Sequence, residues 1–94
     1  MTVERKRAQI RIAGKVQGVF FRASAREQAR ARNLGGWVRN NPDGTVEAVL
    51  EGPADDVEEV VEWAHHGPKA AQVDDIDVQW MDPKGDVQTF EVRR

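Results

Sequence analysis

The stretch Gly14-Lys15-Val16-Gln17-Gly18-Val19-Phe20-Phe21-Arg22 combines two glycines four residues apart, an apolar run and a fixed positive charge. It follows a segment that reads as strand and leads into one that reads as helix. Gly14 and Gly18 can take the positive φ angles that let successive N–H groups converge into a concave nest for an anion. The free N–H groups and the dipole of the following helix N-terminus favour negative charge at the same place. The same glycines also suit an ordinary tight strand-to-helix connection. No Gly-Lys-Ser/Thr follows, so this is not a Walker loop, and the Rossmann fingerprint is absent. Arg22 falls in the first helical turn, where a cation opposes the dipole. An anion in the loop would supply its countercharge, and a planar guanidinium suits two phosphate oxygens.

Other residues with chemical potential have plainer readings. Arg26 and Arg30 follow Arg22 at i+4 and i+8 and stack like charge, at about 0.2–0.5 kcal/mol per pair. They read as a solvated basic face, with Glu27 placed to relieve Arg30. Asn40 ends the short segment Trp37–Asn40, and asparagine is disfavoured in strands. On local pattern, Asn40 and Asn41 begin a turn. His65 and His66 are adjacent, so on a helix they do not face one another, and a helix C-terminus favours His⁺ without any ligand role. No metal is expected there. Alternation spreads the carboxylates of Asp74-Asp75-Ile76-Asp77 over different faces, which describes a solvated edge. Trp37, Trp63 and Trp80 are expected as core or half-buried residues. The chain has no cysteine, which excludes disulfides, thiolate metal sites and a cysteine nucleophile.

The elements that must position these residues come from 94 residues, a length that suggests one domain over 1–94 with a two-layer core. The 39% hydrophobic and 32% charged residues are ordinary for a globular protein. The N-terminal residues lack the apolar core of a signal peptide and no run approaches a membrane span, so a cytoplasmic protein that engages no membrane is expected. The net charge of −2 is unevenly spread: residues 1–40 carry a formal +8 and residues 41–94 a formal −10. Such asymmetry can mark a nucleic-acid surface, but it also arises when two halves interleave and neutralise one another.

Ala8, Ile10 and Ile12 alternate with Arg7, Gln9 and Arg11, which predicts a half-buried strand. The spacing of Phe21, Ala25 and Ala29 predicts a helix from about Phe21 to Asn33, ended by Gly35-Gly36. Trp37–Asn40 and Thr45–Glu51 form a hairpin around Pro42-Asp43-Gly44, with Val46, Ala48 and Leu50 on one face. A second helix has Pro53 at its first position, Asp55, Asp56 and Glu58 near its start, and Val57, Val60, Val61 and Ala64 as its buried stripe. Gly67-Pro68 stops it. Ile76, Val78 and Trp80 alternate as a strand, and Phe90 and Val92 mark a last one. The order is β-α-β-β-α-β plus a short final strand. It predicts an α+β protein with one antiparallel or mixed sheet and two helices on one face, a ferredoxin-like arrangement.

Two long patterns now stand out. Ile12-x-Gly14-x-Val16-Gln17-Gly18-Val19-x-Phe21-Arg22 resembles the first signature of the acylphosphatases. Gly36-Trp37-Val38-Arg39-Asn40, three residues, then Gly44-Thr45-Val46 and Gly52 resembles the second. The resemblance implies a ferredoxin-like α/β sandwich and hydrolysis of acyl phosphates to carboxylate and inorganic phosphate. By it, Arg22 is the phosphate-binding arginine and Asn40 the water-orienting asparagine. Backbone N–H groups of Lys15, Val16, Gln17, Gly18 and Val19 would cradle the phosphate. Many relatives have threonine after the asparagine, whereas this chain has Asn41, which puts a supporting hydroxyl contact in question.

This chemistry needs no cofactor and no metal. An acyl phosphate expels a carboxylate whose conjugate acid has a pKa near 4, so no strong general acid is required. A loose phosphoryl-transfer transition state asks mainly for positioning and charge stabilisation. The expected partner is a small-molecule acyl phosphate, with inorganic phosphate as product and inhibitor, acted on by a monomer. Two other classes are a phosphate-ligand sensor of the same fold and a nucleic-acid-binding module. A sensor needs no oriented water. The spaced sheet aromatics of RNA-recognition motifs are absent, so no nucleic-acid partner is expected.

Overall fold

Alternation along the first strand decides what the sheet buries. In the computed structural model, which describes residues 3–93, β1 (Arg5–Lys15) turns Ala8, Ile10 and Ile12 into the core. The other strands are β2 (Gly35–Asn40), β3 (Val46–Pro53), β4 (Gln72–Met81) and β5 (Phe90–Val92); the helices are α1 (Phe21–Ala31) and α2 (Ala54–Ala64). The sheet order is β4-β1-β3-β2-β5. Neighbours are antiparallel except β2 and β5, which run parallel. Both helices cover the sheet face that carries Ala8, Ile10, Ile12, Val38, Ala48 and Leu50. This is the expected ferredoxin-like α+β sandwich, with β5 added beside β2.

The helices bury the stripes that their spacing predicts: Phe21, Ala25 and Ala29 on α1, and Val57, Val60, Val61 and Ala64 on α2. Their ends differ from the sequence reading. Asn33, at φ 54°, stops α1: its N–H bonds the Arg30 carbonyl at 3.1 Å, and the Leu34 N–H bonds the Ala29 carbonyl at 2.9 Å. That pair of bonds is a Schellman motif with asparagine as its left-handed residue. Gly35 and Gly36 belong instead to β2, where a Cβ on Gly36 would run into the Val49 carbonyl. Pro53 is the N-cap of α2 rather than its first helical residue. Strand β4 begins at Gln72, earlier than the Ile76 alternation indicates.

Trp63 packs on Phe21 with ring centroids 5.3 Å apart. Trp37 lies on the other face of the sheet, with the guanidinium groups of Arg39 and Arg93 over its ring at 5.1 and 5.0 Å from the centroid. Trp80 departs from expectation. It sits on the edge strand, 46% exposed, with the Lys6 ammonium over its ring.

The two oppositely charged halves of the chain interleave. Every Lys/Arg–carboxylate pair among the described residues joins a cation from the first half to an acid from the second: Lys6–Glu58, Arg7–Glu51, Arg7–Asp86, Arg32–Glu59 and Arg39–Glu47. No helix among the described residues is long and apolar enough to cross a membrane.

Candidate active site

Between β1 and α1 the chain hangs from two buried anchors, Val16 and Val19, with Gly18 and Phe20 exposed. Gly18 has φ 72° and Phe20 has φ 63°, both in the left-handed region. A Cβ on Gly18 would meet nothing within 4 Å, so its glycine answers to backbone conformation alone. Phe20 takes that conformation at a steric cost, of order 1–2 kcal/mol for an L-residue, while serving as N-cap of α1. None of the N–H groups from Val16 to Phe20 has an acceptor in a turn, a loop or a side chain among the described residues. Together with the first turn of α1 they are the donors that an anion nest would use.

Two expected members of the loop are placed otherwise. Lys15 closes β1, paired with Gln72 of β4, and so precedes the loop. Gly14 sits at an irregularity in that pairing, with φ 129°, where a Cβ would strike the Gln72 carbonyl and approach the Asp74 nitrogen at 2.8 Å. It lets two strands meet.

Arg22 is the second residue of α1, and Asn40 is the last residue of β2. The fold brings both to one pocket of about 540 Å³, together with Val16 and Gly18 of the loop. Neither end of the Arg22 side chain meets a carboxylate among the described residues. The Asn40 Oδ1 is buried and has no hydrogen-bond partner; it is the one such side-chain atom among the described residues. Leaving a buried acceptor unpaired costs about 1–3 kcal/mol, so its retention points to a partner supplied from outside the protein.

The turn after Asn40 is held from both sides. Asn41 Nδ2 donates to Thr45 Oγ1 at 3.0 Å, and that hydroxyl donates to Asp43 Oδ1 at 2.6 Å. The amide of Asn41 therefore makes a contact to the threonine hydroxyl, and the departure from the family pattern leaves the turn supported. Asp43 also accepts from the Thr45 N–H at 3.0 Å, and the Thr45 hydroxyl and N–H hold its carboxyl below the ordinary value. The Gln17 side chain crosses to this turn and donates to the Asn41 carbonyl at 2.8 Å and the Thr45 carbonyl at 2.9 Å. One amide thus fixes the loop against the hairpin that carries Asn40.

Sequence reasoning placed Gln17 in the loop for its backbone and missed its side chain, whose partners lie more than twenty residues away. It also missed Phe20, Arg26 and Val92 as pocket-lining residues. Arg26 is half-buried against this pocket and is not simply part of a solvated face. The expected Glu27–Arg30 pair does not form among the described residues; Arg30 Nε donates to the Phe90 carbonyl at 3.3 Å. His65 Nδ1 lies 2.9 Å from the Val61 carbonyl on its own helix.

Comparison with known proteins bears directly on this pocket. The family model described as Acylphosphatase matches residues 8–92. The chain belongs to the acylphosphatase family. A relative named Acylphosphatase from Pyrobaculum aerophilum is 55% identical over 91 residues, covering 96% of each chain. Another of that name, from Anaeromyxobacter dehalogenans, is 51% identical over 90 residues, covering 96% of this chain and 97% of the other. The crystal structure of the acylphosphatase from Bacillus subtilis superposes with a TM-score of 0.90 at 34% identity, over 95% of this chain and 99% of that one. The acylphosphatase signatures therefore coincide here with the loop, the first turn of α1 and the end of β2.

Proposed function

We propose that this chain hydrolyses acyl phosphates to a carboxylate and inorganic phosphate, with Arg22 and Asn40 as its catalytic residues. The reaction follows from family membership. The roles follow from one observation: an arginine without a carboxylate partner and a buried amide oxygen without a donor share a pocket with a loop of free N–H groups.

The N–H groups of Val16, Gln17, Gly18 and Val19 cradle the phosphate oxygens, and the Arg22 guanidinium takes two of them in a fork. Asn40 Oδ1 accepts a hydrogen bond from the attacking water and aims it in line with the bond to the acyl oxygen. The loose transition state gathers charge on the phosphoryl oxygens, where preorganised donors act most strongly. The departing carboxylate needs no proton. No carboxylate or imidazole lines the pocket, which leaves a phosphate oxygen of the substrate to take the proton from water. A single-domain monomer acting in the cytoplasm completes this reading, and gel filtration with cell fractionation tests that part.

The decisive experiment follows benzoyl phosphate loss with wild type, Arg22→Ala and Arg22→Lys. Wild type should turn it over, with inorganic phosphate competing and EDTA without effect. Arg22→Ala should lose about 10²-fold or more, as expected for removing a main transition-state donor. Lysine should rescue poorly, because a point charge does not replace the fork. A wild-type protein that binds phosphate but leaves benzoyl phosphate intact would make it a phosphate sensor instead.

A further inference from the structure

The pocket is far larger than a phosphoryl group requires: about 540 Å³ lies in the range that takes whole small molecules. The remaining space must receive the acyl group. Its lining there is mixed, with apolar Phe20 and Val92 and the guanidinium-bearing Arg26.

Arg26 is unusual among the arginines. Of those that are buried or half-buried, Arg7 holds Glu51 and Asp86, and Arg32 holds Glu59. The other two, Arg22 and Arg26, hold no carboxylate among the described residues, and both line this pocket. They stand four residues apart on α1, one above the other, at a separation of about 6 Å along the helix axis. Like charges in that arrangement repel, and the repulsion is relieved when each meets its own anion.

We propose that Arg26 is a specificity-determining residue that anchors a second anionic group on the acyl side of the pocket. The substrate class it selects is acyl phosphates whose acyl part carries its own carboxylate or phosphate. This rests on the function proposed above. The phosphoryl group occupies the loop and Arg22, the acyl carbons pass along the apolar wall of Phe20 and Val92, and the second anion reaches Arg26. A fork-shaped guanidinium accepts carboxylate and phosphate alike, so the two sources share one chemistry.

Three matched substrates test this: benzoyl phosphate, 4-carboxybenzoyl phosphate and 4-phosphonobenzoyl phosphate. They share one rigid ring, which keeps the second anion from attacking its own acyl carbon. Wild type should prefer at least one para-anionic substrate over benzoyl phosphate by about tenfold in kcat/KM, the scale of a charge-assisted pair. The carboxylate and phosphonate arms show which anion the site takes. In Arg26→Ala that preference should fall to near unity, and Arg26→Lys should restore part of it. Each ratio is taken within one preparation, so a partly unfolded variant does not distort it. Turnover of benzoyl phosphate with no preference for either anion, or an unchanged preference in Arg26→Ala, overturns the assignment. Failure of wild type to hydrolyse any of the three overturns the proposed function and this inference with it.

Discussion

Asn40→Ala separates catalysis from architecture more sharply than any other substitution in the pocket. Asn40 ends β2, and its Oδ1 is buried without a partner. If Asn40 only shaped the hairpin, its side chain would bond the turn that follows. That turn is held instead by Asn41, Asp43, Thr45 and Gln17. Truncation to alanine therefore removes no hydrogen bond from the turn. It removes an unpaired buried acceptor, whose desolvation costs about 1–3 kcal/mol, and loses a few side-chain contacts against that gain. At roughly 4–8 °C per kcal/mol for a domain of this size, Tm should stay within about 5 °C of wild type or rise. Catalysis should behave in the opposite way. Losing one well-placed polar group from a transition state lowers kcat by about 10²-fold or more. The inhibition constant for inorganic phosphate should barely move, because in the proposed mechanism Asn40 acts on water and not on the bound phosphate. Asn40→Asp should do no better, since a carboxylate sets a negative charge beside the phosphoryl group. The assay measures kcat with benzoyl phosphate, phosphate inhibition and Tm on one preparation. A folded Asn40→Ala protein with unchanged kcat refutes the catalytic role, and a large fall in Tm refutes the stability reasoning.

Three further outcomes follow from the same geometry. Gly18→Ala places its Cβ in open space at φ 72°, so about 1–2 kcal/mol of backbone strain should weaken phosphate inhibition and lower turnover; lost stability with unchanged phosphate binding would make Gly18 a turn residue only. Gln17→Leu removes two donors and should cost about 1–3 kcal/mol by denaturant titration together with a loss of kcat/KM, because loop and hairpin come apart; wild-type values for both would show that the tie is idle. Burial raises the Glu51 carboxyl, but the Lys84 and Gly85 N–H groups and Arg7 outweigh it and hold the group below its ordinary value of 4.5. Its stabilisation is therefore complete above that value and lost as pH falls through the lower folded value, so Glu51→Gln should flatten the acid limb of a stability–pH curve, and an unchanged limb would refute this.

Much of the scaffold was legible because burial obeys period. The 2-residue alternation of β1 and the stripes of both helices lie where the apolar residues recur. What failed depended on distant backbone. Gly35-Gly36 looked like a helix stop, but those glycines admit β3 and the Val87 segment at close range. The first residues of β4 are polar and exposed apart from Val73, and only pairing with β1 makes them strand. Arg22, Asn40, Val16 and Gly18, which the signatures single out, line one pocket. The strand irregularity at Gly14, against Gln72 and Asp74, and the pairing of Lys15 with Gln72 leave no local mark. The place of Val92 in the pocket was invisible because it arrives from the far end of the chain by parallel pairing of β5 with β2.

The uneven charge of the sequence acquires a meaning once the faces of the sheet are distinguished. Period-2 alternation sends Arg7 and Gln9 of β1 and Arg39 of β2 to the face away from the helices. There β3, paired with both strands, presents Glu47 and Glu51. Arg7 binds Glu51 at 3.1 Å, and Gln9 and Arg39 bind Glu47 at 2.7 and 2.9 Å. Two acids of the second half are thereby engaged on one side of the sheet, and Lys6 and Arg32 hold Glu58 and Glu59 on α2. Arg22 and Arg26 project from α1 into a pocket whose lining contains no acid. A chain with a net charge of −2 thus keeps two arginines at a pocket lined by no acid. In the proposed function, the local field of that pair draws the substrate's phosphate to the loop.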